Sequence, residues 1–363
     1  MAKYTKEEMC LLWLDSFVGL EYKHKKSVYQ TFVNKANIVE ALHAVKEYLV
    51  SEIGEKEFNT LSSSANKTYL EYLIAELDRK GVVAITCIST NYPKALENLE
   101  LAPLVLYAKG DLSLLNSDCF AIVGSRRSLP LSIGLAENFA KALGQNFTLV
   151  TGIAEGVDSA VLKSALSNGK KVISVIAGGI DNVYPATNKS LIEKVFKQGL
   201  VISEYPPKTI PKPYFFPIRN RIIAGLSKGV LVVSGAKKSG TLYTAEYAGE
   251  YGKDLFAVPY SVGVASGEGC NELIKKGALL VDSPQDVLDF YGIKDDQGQV
   301  ELTEQEKEIV KALSQGQMHI EKLSSVLSKR TFIITPILSG LEIKGVVVKS
   351  GNIYGLTRSF SEE

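Results

Sequence analysis

From Cys119 onward the chain alternates short, continuously apolar runs with longer stretches of helical period. The apolar runs cover residues 120–123, 148–150, 171–176, 200–203, 230–233 and 255–258, and each predicts a strand. Between and after them, residues 131–143, 158–167, 188–198, 220–226, 242–251 and 271–276 carry the spacing of amphipathic helices. Strands that are apolar at every position are buried on both faces. The pattern therefore predicts an α/β fold with a parallel sheet covered by helices on each side. Ligands of such folds bind beyond the carboxyl ends of the strands, and there this sequence places Gly, Ser and Arg.

Residues 1–80 read as helical. Glu8 to Leu14 opens one apolar-rich helix, and 37–50 predicts another, with Ile38, Leu42, Val45 and Leu49 on one face. Between them lie the turn Phe17-Val18-Gly19-Leu20 and the basic run Lys23-His24-Lys25-Lys26. A helix–turn–helix can offer backbone amides to phosphate, but no Gly-x-Gly turn is present, so packing is the expected role. His24 and His43 stand alone and are read as surface or core residues. Residues 81–118 are extended, with Val82–Thr86, the turn Asn91-Tyr92-Pro93 and Pro103–Tyr107, and are expected to pack on the main domain, which closes near residue 292.

After Asp282-Ser283-Pro284 and the polar stretch Lys294-Asp295-Asp296-Gln297-Gly298-Gln299, residues 301–358 read as a separate small unit. Thr303-x-x-Glu306 is a capping box before Ile309, Val310 and Leu313. A second helix holds Ile320, Leu323 and Leu327. A third is expected over 336–343, with Thr335 as cap and Pro336 in the first turn. A hairpin pairing 346–349 with 353–356 around Ser350-Gly351-Asn352 completes a winged-helix pattern. No basic cluster marks the third helix, so partner docking or packing is expected of it rather than duplex reading.

Composition narrows the class. A length of 363 residues predicts two or three units, and 45% hydrophobic with 22% charged residues supplies a core. The four cysteines form no CxxC pair, which predicts a reducing compartment without disulfide framework or zinc ribbon. The amino-terminal MAKYTKEEM lacks an apolar core, and no apolar run is long enough to span a bilayer, so the expected location is cytoplasmic.

The net charge of +1 hides a segregation. Residues 119–245 hold 16 Lys or Arg against 6 Asp or Glu, an excess of +10, and the rest of the chain carries −9. Within 205–245 seven cations stand with no acid, the footprint of a polyanion site. Gly124-Ser125-Arg126-Arg127-Ser128 follows a strand and precedes a helix. Its glycine permits a sharp turn, the helix start directs amides at an anion, and an arginine fork suits phosphate oxygens. Lys212-Pro213-Tyr214-Phe215-Phe216-Pro217-Ile218-Arg219-Asn220-Arg221 interleaves cations with rings, as single-strand binders do. Its prolines are expected to keep it extended, with at least one phenylalanine in the core. Ser239-Gly240-Thr241 offers further amides and hydroxyls, as does the loop from Gly152 to Asp158, where Asp158 is read as a helix cap.

The absences count too. The sequence has no Gly-x-Gly-x-x-Gly with a ribose-binding acid, no Walker A lysine, and no histidine between His43 and His319. Neither catalytic residues, nor a metal site, nor a cofactor is expected.

Taken in order, several segments resemble the DNA processing protein A (DprA, also Smf) family of bacterial transformation proteins, as a divergent member. They are Ile122-Val123-Gly124-Ser125-Arg126, Ser203-Glu204, Lys212-Pro213-x-x-Phe216-Pro217-x-Arg219-Asn220-Arg221-Ile222-Ile223-Ala224-Gly225-Leu226, Ser239-Gly240-Thr241-Leu242 and Gly269-x-Asn271-x-Leu273-Ile274. The resemblance runs from about Tyr92 to Gly292. It implies an extended Rossmann-like domain over 81–292 that binds single-stranded DNA, forms homodimers and helps load the RecA recombinase during natural transformation. It also implies a helical amino-terminal domain of SAM or helix–hairpin–helix type over 1–80 and a winged-helix tail. By the same resemblance Arg126 and Lys212 are the principal phosphate contacts.

The chain departs from the family where Leu162 replaces a histidine, Ser234 replaces a glutamate, and Tyr260 follows Val258-Pro259 in place of glycine. An alternative is a nucleotide-binding or nucleotide-hydrolysing enzyme similar to the lysine-decarboxylase-like (LOG) phosphoribohydrolases. Those carry Pro-Gly-Gly-x-Gly-Thr-x-x-Glu, whereas here Thr244 stands at the glutamate's place.

Overall fold

The structure, a computed structural model, describes residues 4–35, 37–293 and 302–357. Contacts divide the chain into two compact units, Met1–Ile293 and Lys294–Glu363. The polar stretch Lys294 to Gln299 lies outside the described residues.

A nine-stranded sheet organises the first unit. Its strands are β1 (Val83–Thr86), β2 (Val105–Gly110), β3 (Cys119–Val123), β4 (Thr148–Thr151), β5 (Val172–Ile176), β6 (Leu200–Ser203), β7 (Gly229–Val232), β8 (Asp254–Ala257) and β9 (Leu279–Leu280). They lie in the order β1-β2-β6-β5-β4-β3-β7-β8-β9. From β6 to β9 all neighbours are parallel, while β1 and β2 extend the edge antiparallel. Both faces are covered, as the apolar runs require. Phe120 and Ile122 of β3 enter one core with Phe139, Val161 and Phe256, while Ala121 and Val123 enter the opposite core with Ile222 and Ala224. The chain winds outward from β3 to β6, then crosses back to lay β7 beside β3, with Val123 opposite Val232. That reversal opens a crevice at the carboxyl ends of β3 and β7.

The crossing carries the main departure from the sequence reading. Residues from Phe215 are not extended: Phe215–Leu226 is one helix, with Pro217 in its first turn. A proline there forfeits no helical hydrogen bond, so two flanking prolines do not prevent the helix from starting early. Elsewhere from β3 to β8 the predicted strands and helices agree with the structure to within a few residues.

The amino-terminal helices have a small core of their own, which includes Trp13, Val28, Phe32, Leu42, Leu49 and Leu61. Tyr4, Leu11, Leu12 and Leu77 instead pack into a core of the sheet, so this segment belongs to the first compact unit. The helix expected over 37–50 breaks at Val45 into Ile38–Ala44 and Lys46–Ile53. Its apolar positions still face one core, so packing has overridden the continuous period. The basic run is answered by local acids: Lys23 lies 2.6 Å from Glu52, Lys25 2.8 Å from Asp15, and buried His24 3.2 Å from Glu52.

The second unit is a winged helix, with helices Glu304–Leu313, Ile320–Leu327 and Thr331–Ile343. A sheet of β10 (Met318–His319), β12 (Ile353–Leu356) and β11 (Val347–Ser350) completes it. Its third helix starts at Thr331 rather than at Pro336. Thr335 is not a cap: its hydroxyl donates to the Thr331 carbonyl at 2.8 Å. Among the described residues no helix is long and apolar enough to cross a membrane.

Candidate functional site

An open cavity of about 580 Å³ lies at the crevice between β3 and β7. Its first wall is the turn after β3. Gly124 packs against Val157 so closely that a Cβ there would overlap that side chain. The Ser125 amide donates to the Ser234 hydroxyl at 3.1 Å, and the Ser128 hydroxyl lies 3.1 Å from the same oxygen while donating to the Ser125 carbonyl at 2.8 Å. From the other side the Val157 amide donates to that carbonyl at 3.3 Å. Gly156, at φ 80°, presses on the Ser125 and Arg126 carbonyl oxygens, where a side chain would not fit. The turn is thus clamped from both sides. Arg126 and Arg127 remain exposed, and the Arg126 guanidinium lies 4.9 Å from the centre of the Phe216 ring.

The floor is charged but internally matched. Asp158 and Arg219, both buried, converge on Gly152, where any Cβ would strike their side chains. Arg219 donates to the Val175 carbonyl and, through Nε, to Asn220 at 3.2 Å; burial pulls its pKa down to about 10. Burial pushes the Asp158 carboxyl up, against the opposing pull of Arg219 and a 3.2 Å hydrogen bond from the Ala154 amide. Asp158 therefore braces the loop after β4 and faces Arg219, correcting its reading as a helix cap; that helix, Val157–Ser167, has Gly156 at its N-cap.

The third wall follows β7. Asn220 donates to the Gly240 carbonyl at 3.1 Å, and the Ser239 hydroxyl accepts from the Thr241 amide at 3.3 Å. The helices Val157–Ser167, Phe215–Leu226 and Thr241–Glu250 all begin around the cavity, and in none does an N-cap side chain take a first-turn amide. Several of their first-turn amides donate instead to nearby backbone carbonyls, as Val157 does to Ser125 and Leu242 to Ser239.

Of the residues singled out from sequence, Gly124, Ser125, Arg126, Arg127, Phe216, Arg219, Asn220, Ser239, Gly240 and Thr241 line this cavity. Three do not. Gly152 lies beneath it and leaves room for Asp158 and Arg219. Lys212 is exposed beside lining Pro213, its Nζ 5.8 Å from the Tyr214 ring. Arg221 turns away, buried in an ion pair with Glu204. Within a single helical turn Arg219 and Asn220 line the cavity while Arg221 does not, and the sequence motif contains no mark of which is which.

Lys238, Thr244 and Asp158 also line the cavity and were not assigned to it. The pair Lys237-Lys238 immediately before Ser239-Gly240-Thr241 was the available signal. Leu162 is fully buried in the core, and Ser234, also fully buried, is the clamp on the Gly-Ser-Arg turn. Tyr260 fills the space beside Gly267, where a Cβ would strike its ring, and donates to the Val233 carbonyl at 2.7 Å. Among the described residues no cluster of His, Cys, Asp or Glu has the arrangement to hold a metal ion.

Fold and site together define a Rossmann-like protein whose cavity, at the reversal of strand order, is lined by cations, rings and helix starts. Residues 83–292 match the family model of DNA recombination-mediator protein A, and the chain belongs to that family. It is 43% identical over 197 residues to the DNA processing protein DprA of Streptococcus pneumoniae, covering 54% of this chain and 70% of that one. It is 36% identical over 222 residues to the Bacillus subtilis DprA, covering 61% and 75%. The solved structure of the pneumococcal protein superposes with a TM-score of 0.61 at 34% identity, over 79% of this chain and 98% of that one. DNA processing protein A of Helicobacter pylori, whose structure was described for its unique single-stranded-DNA binding mode, gives 0.53 at 31% identity, over 58% and 95%.

Proposed function

We propose that the cavity grips the backbone of single-stranded DNA, and that the protein is a non-enzymatic recombination mediator acting in the cytoplasm. In this reading it protects incoming strands during natural transformation, works as a homodimer and helps load RecA onto them. The observation that carries the reading is the exposed Arg126 guanidinium 4.9 Å from the Phe216 ring, at the mouth of a cavity where helix starts converge. A cation beside a ring neutralises a phosphate and offers a stacking surface without reading sequence. The single-strand binding described for the Helicobacter pylori relative supports the same assignment.

The hydrolase reading is not favoured. Asp158, the sole carboxylate among the described lining residues, faces Arg219 and holds the Ala154 amide, and Thr244 occupies the wall where a catalytic glutamate would be required.

The decisive experiment is a salt titration of oligonucleotide binding by the parent chain and by Arg126→Glu/Lys212→Glu. Single strands are expected to bind in preference to duplex. The double variant should lose most affinity, with its log–log salt slope shallower by ~1.4, since each single-strand phosphate contact contributes ~0.7. Unchanged single-strand affinity would refute the assignment. Sedimentation of the purified protein tests the homodimer, and co-precipitation with RecA tests the partner.

A further inference from the structure

Two large rings on this part of the surface have no task in the cavity's phosphate chemistry. Tyr184, on the loop after β5, is 55% exposed, and its ring meets Phe216 edge-on, with centroids 5.9 Å apart at 71°. Tyr214 is 56% exposed and meets Phe215 in the same way, at 4.7 Å and 77°. Phe215 is itself buried and stacked on Tyr205 at 4.0 Å, so Tyr214 stands on a fixed aromatic base. In a T-shaped pair, whichever ring presents its edge, the partner phenylalanine covers at most one face of the tyrosine. Both rings are therefore oriented by their neighbours while more than half of each side chain stays exposed.

A cation accompanies each pair. Arg126 lies 4.9 Å from the Phe216 ring, and Lys212 lies 5.8 Å from Tyr214 and 6.0 Å from Phe215. The surface thus repeats one composite unit: a braced tyrosine, a phenylalanine against it, and a cation beside the phenylalanine. Phe215 and Phe216 are adjacent in sequence and join the two units. A mononucleotide has one base and occupies one such unit; a strand has the repeat to occupy two. The arrangement also gives Lys212 a task although it does not line the cavity.

We propose that Tyr184 and Tyr214 stack nucleobases of the bound strand, while Arg126 and Lys212 neutralise the phosphates beside them. The assignment rests on the single-strand reading of the cavity and adds to it the residues that hold the bases.

The test compares, on the full chain, a thymidine oligomer with an abasic oligomer of equal length, which keeps the phosphates and lacks the bases. Tyr184→Ala and Tyr214→Ala should each weaken thymidine-oligomer binding roughly five- to a hundredfold, as loss of one base–ring stack does, and leave abasic binding within about twofold. Tyr184→Trp and Tyr214→Trp should retain thymidine-oligomer affinity, with indole fluorescence that responds to that oligomer and not to the abasic one. Parental affinity for thymidine oligomers in the double alanine variant overturns this assignment alone. Equal losses on both oligomers also overturn it, because they indicate a structural role. Absence of oligomer binding by the parent chain overturns the reading of the cavity and this assignment with it.

Discussion

At the scale of single residues, the Gly124-Ser125-Arg126 turn owes its shape to a hydroxyl 109 positions further along the chain from Ser125. Ser234 is fully buried, and its oxygen receives the Ser125 amide and touches the Ser128 hydroxyl. Ser234→Ala removes that amide's partner at a half-buried turn on the wall of the open cavity. The expected cost is about 0.5–1.5 kcal/mol, measurable by urea denaturation. Single-strand affinity should fall while the salt slope stays at the parental value, because no cation has been removed. A changed slope would mean that Ser234 acts through charge rather than through the turn. Arg221 illustrates the converse: it reads as a phosphate ligand in sequence, yet it is buried and its Nη2 is paired with Glu204, whose carboxyl burial pushes up against the arginine's pull.

At the scale of elements, the loop between β6 and the Phe215–Leu226 helix connects the cavity to the amino-terminal helices. Lys208 on this loop lies 2.8 Å from Glu76 of the helix Lys67–Lys80, and Lys80 pairs with Asp181 on the loop after β5. Hydrogen bonds from Lys208 and Arg79 hold the Glu76 carboxyl well below its ordinary value of 4.5, to about 2. A carboxyl with a depressed folded-state pKa stabilises the fold above its unfolded value, and that contribution is lost as pH falls through the folded value. Melting temperature should therefore decline between about pH 4.5 and about 2, and Glu76→Gln should flatten that part of the profile. An identical profile in the variant would show that this contact does not tie helix and loop together.

At the scale of the whole molecule, the cationic cavity, its clamps and both sheet cores lie within Met1–Ile293. A chain ending at Ile293 should unfold in one cooperative transition and bind single strands with the affinity of the full protein, as judged by fluorescence anisotropy. Loss of affinity would assign part of the DNA grip to the winged helix. That unit exposes Phe332 and Ile333 at the start of its third helix, beside exposed Arg330 at its N-cap.

The sequence by itself determined the α/β class, the strands from β3 to β8 and most of the cavity's lining. Strands apolar at every position admit only a sheet covered on both faces, and a glycine–serine–arginine turn between strand and helix is a local feature. The order of strands and the sense of each side chain along the Phe215–Leu226 helix were decided only in three dimensions. Arg219 and Arg221 are two residues apart and equally charged, yet one lines the cavity floor beside Asp158 and the other is paired with Glu204. Likewise Ser234 and Tyr184 carry no local signal: each acquires its role from a partner more than thirty positions away, Ser125 and Phe216 respectively. A hydrogen bond or ring contact of that span depends on where β5 and β7 lie in the sheet, and no period along the chain encodes it.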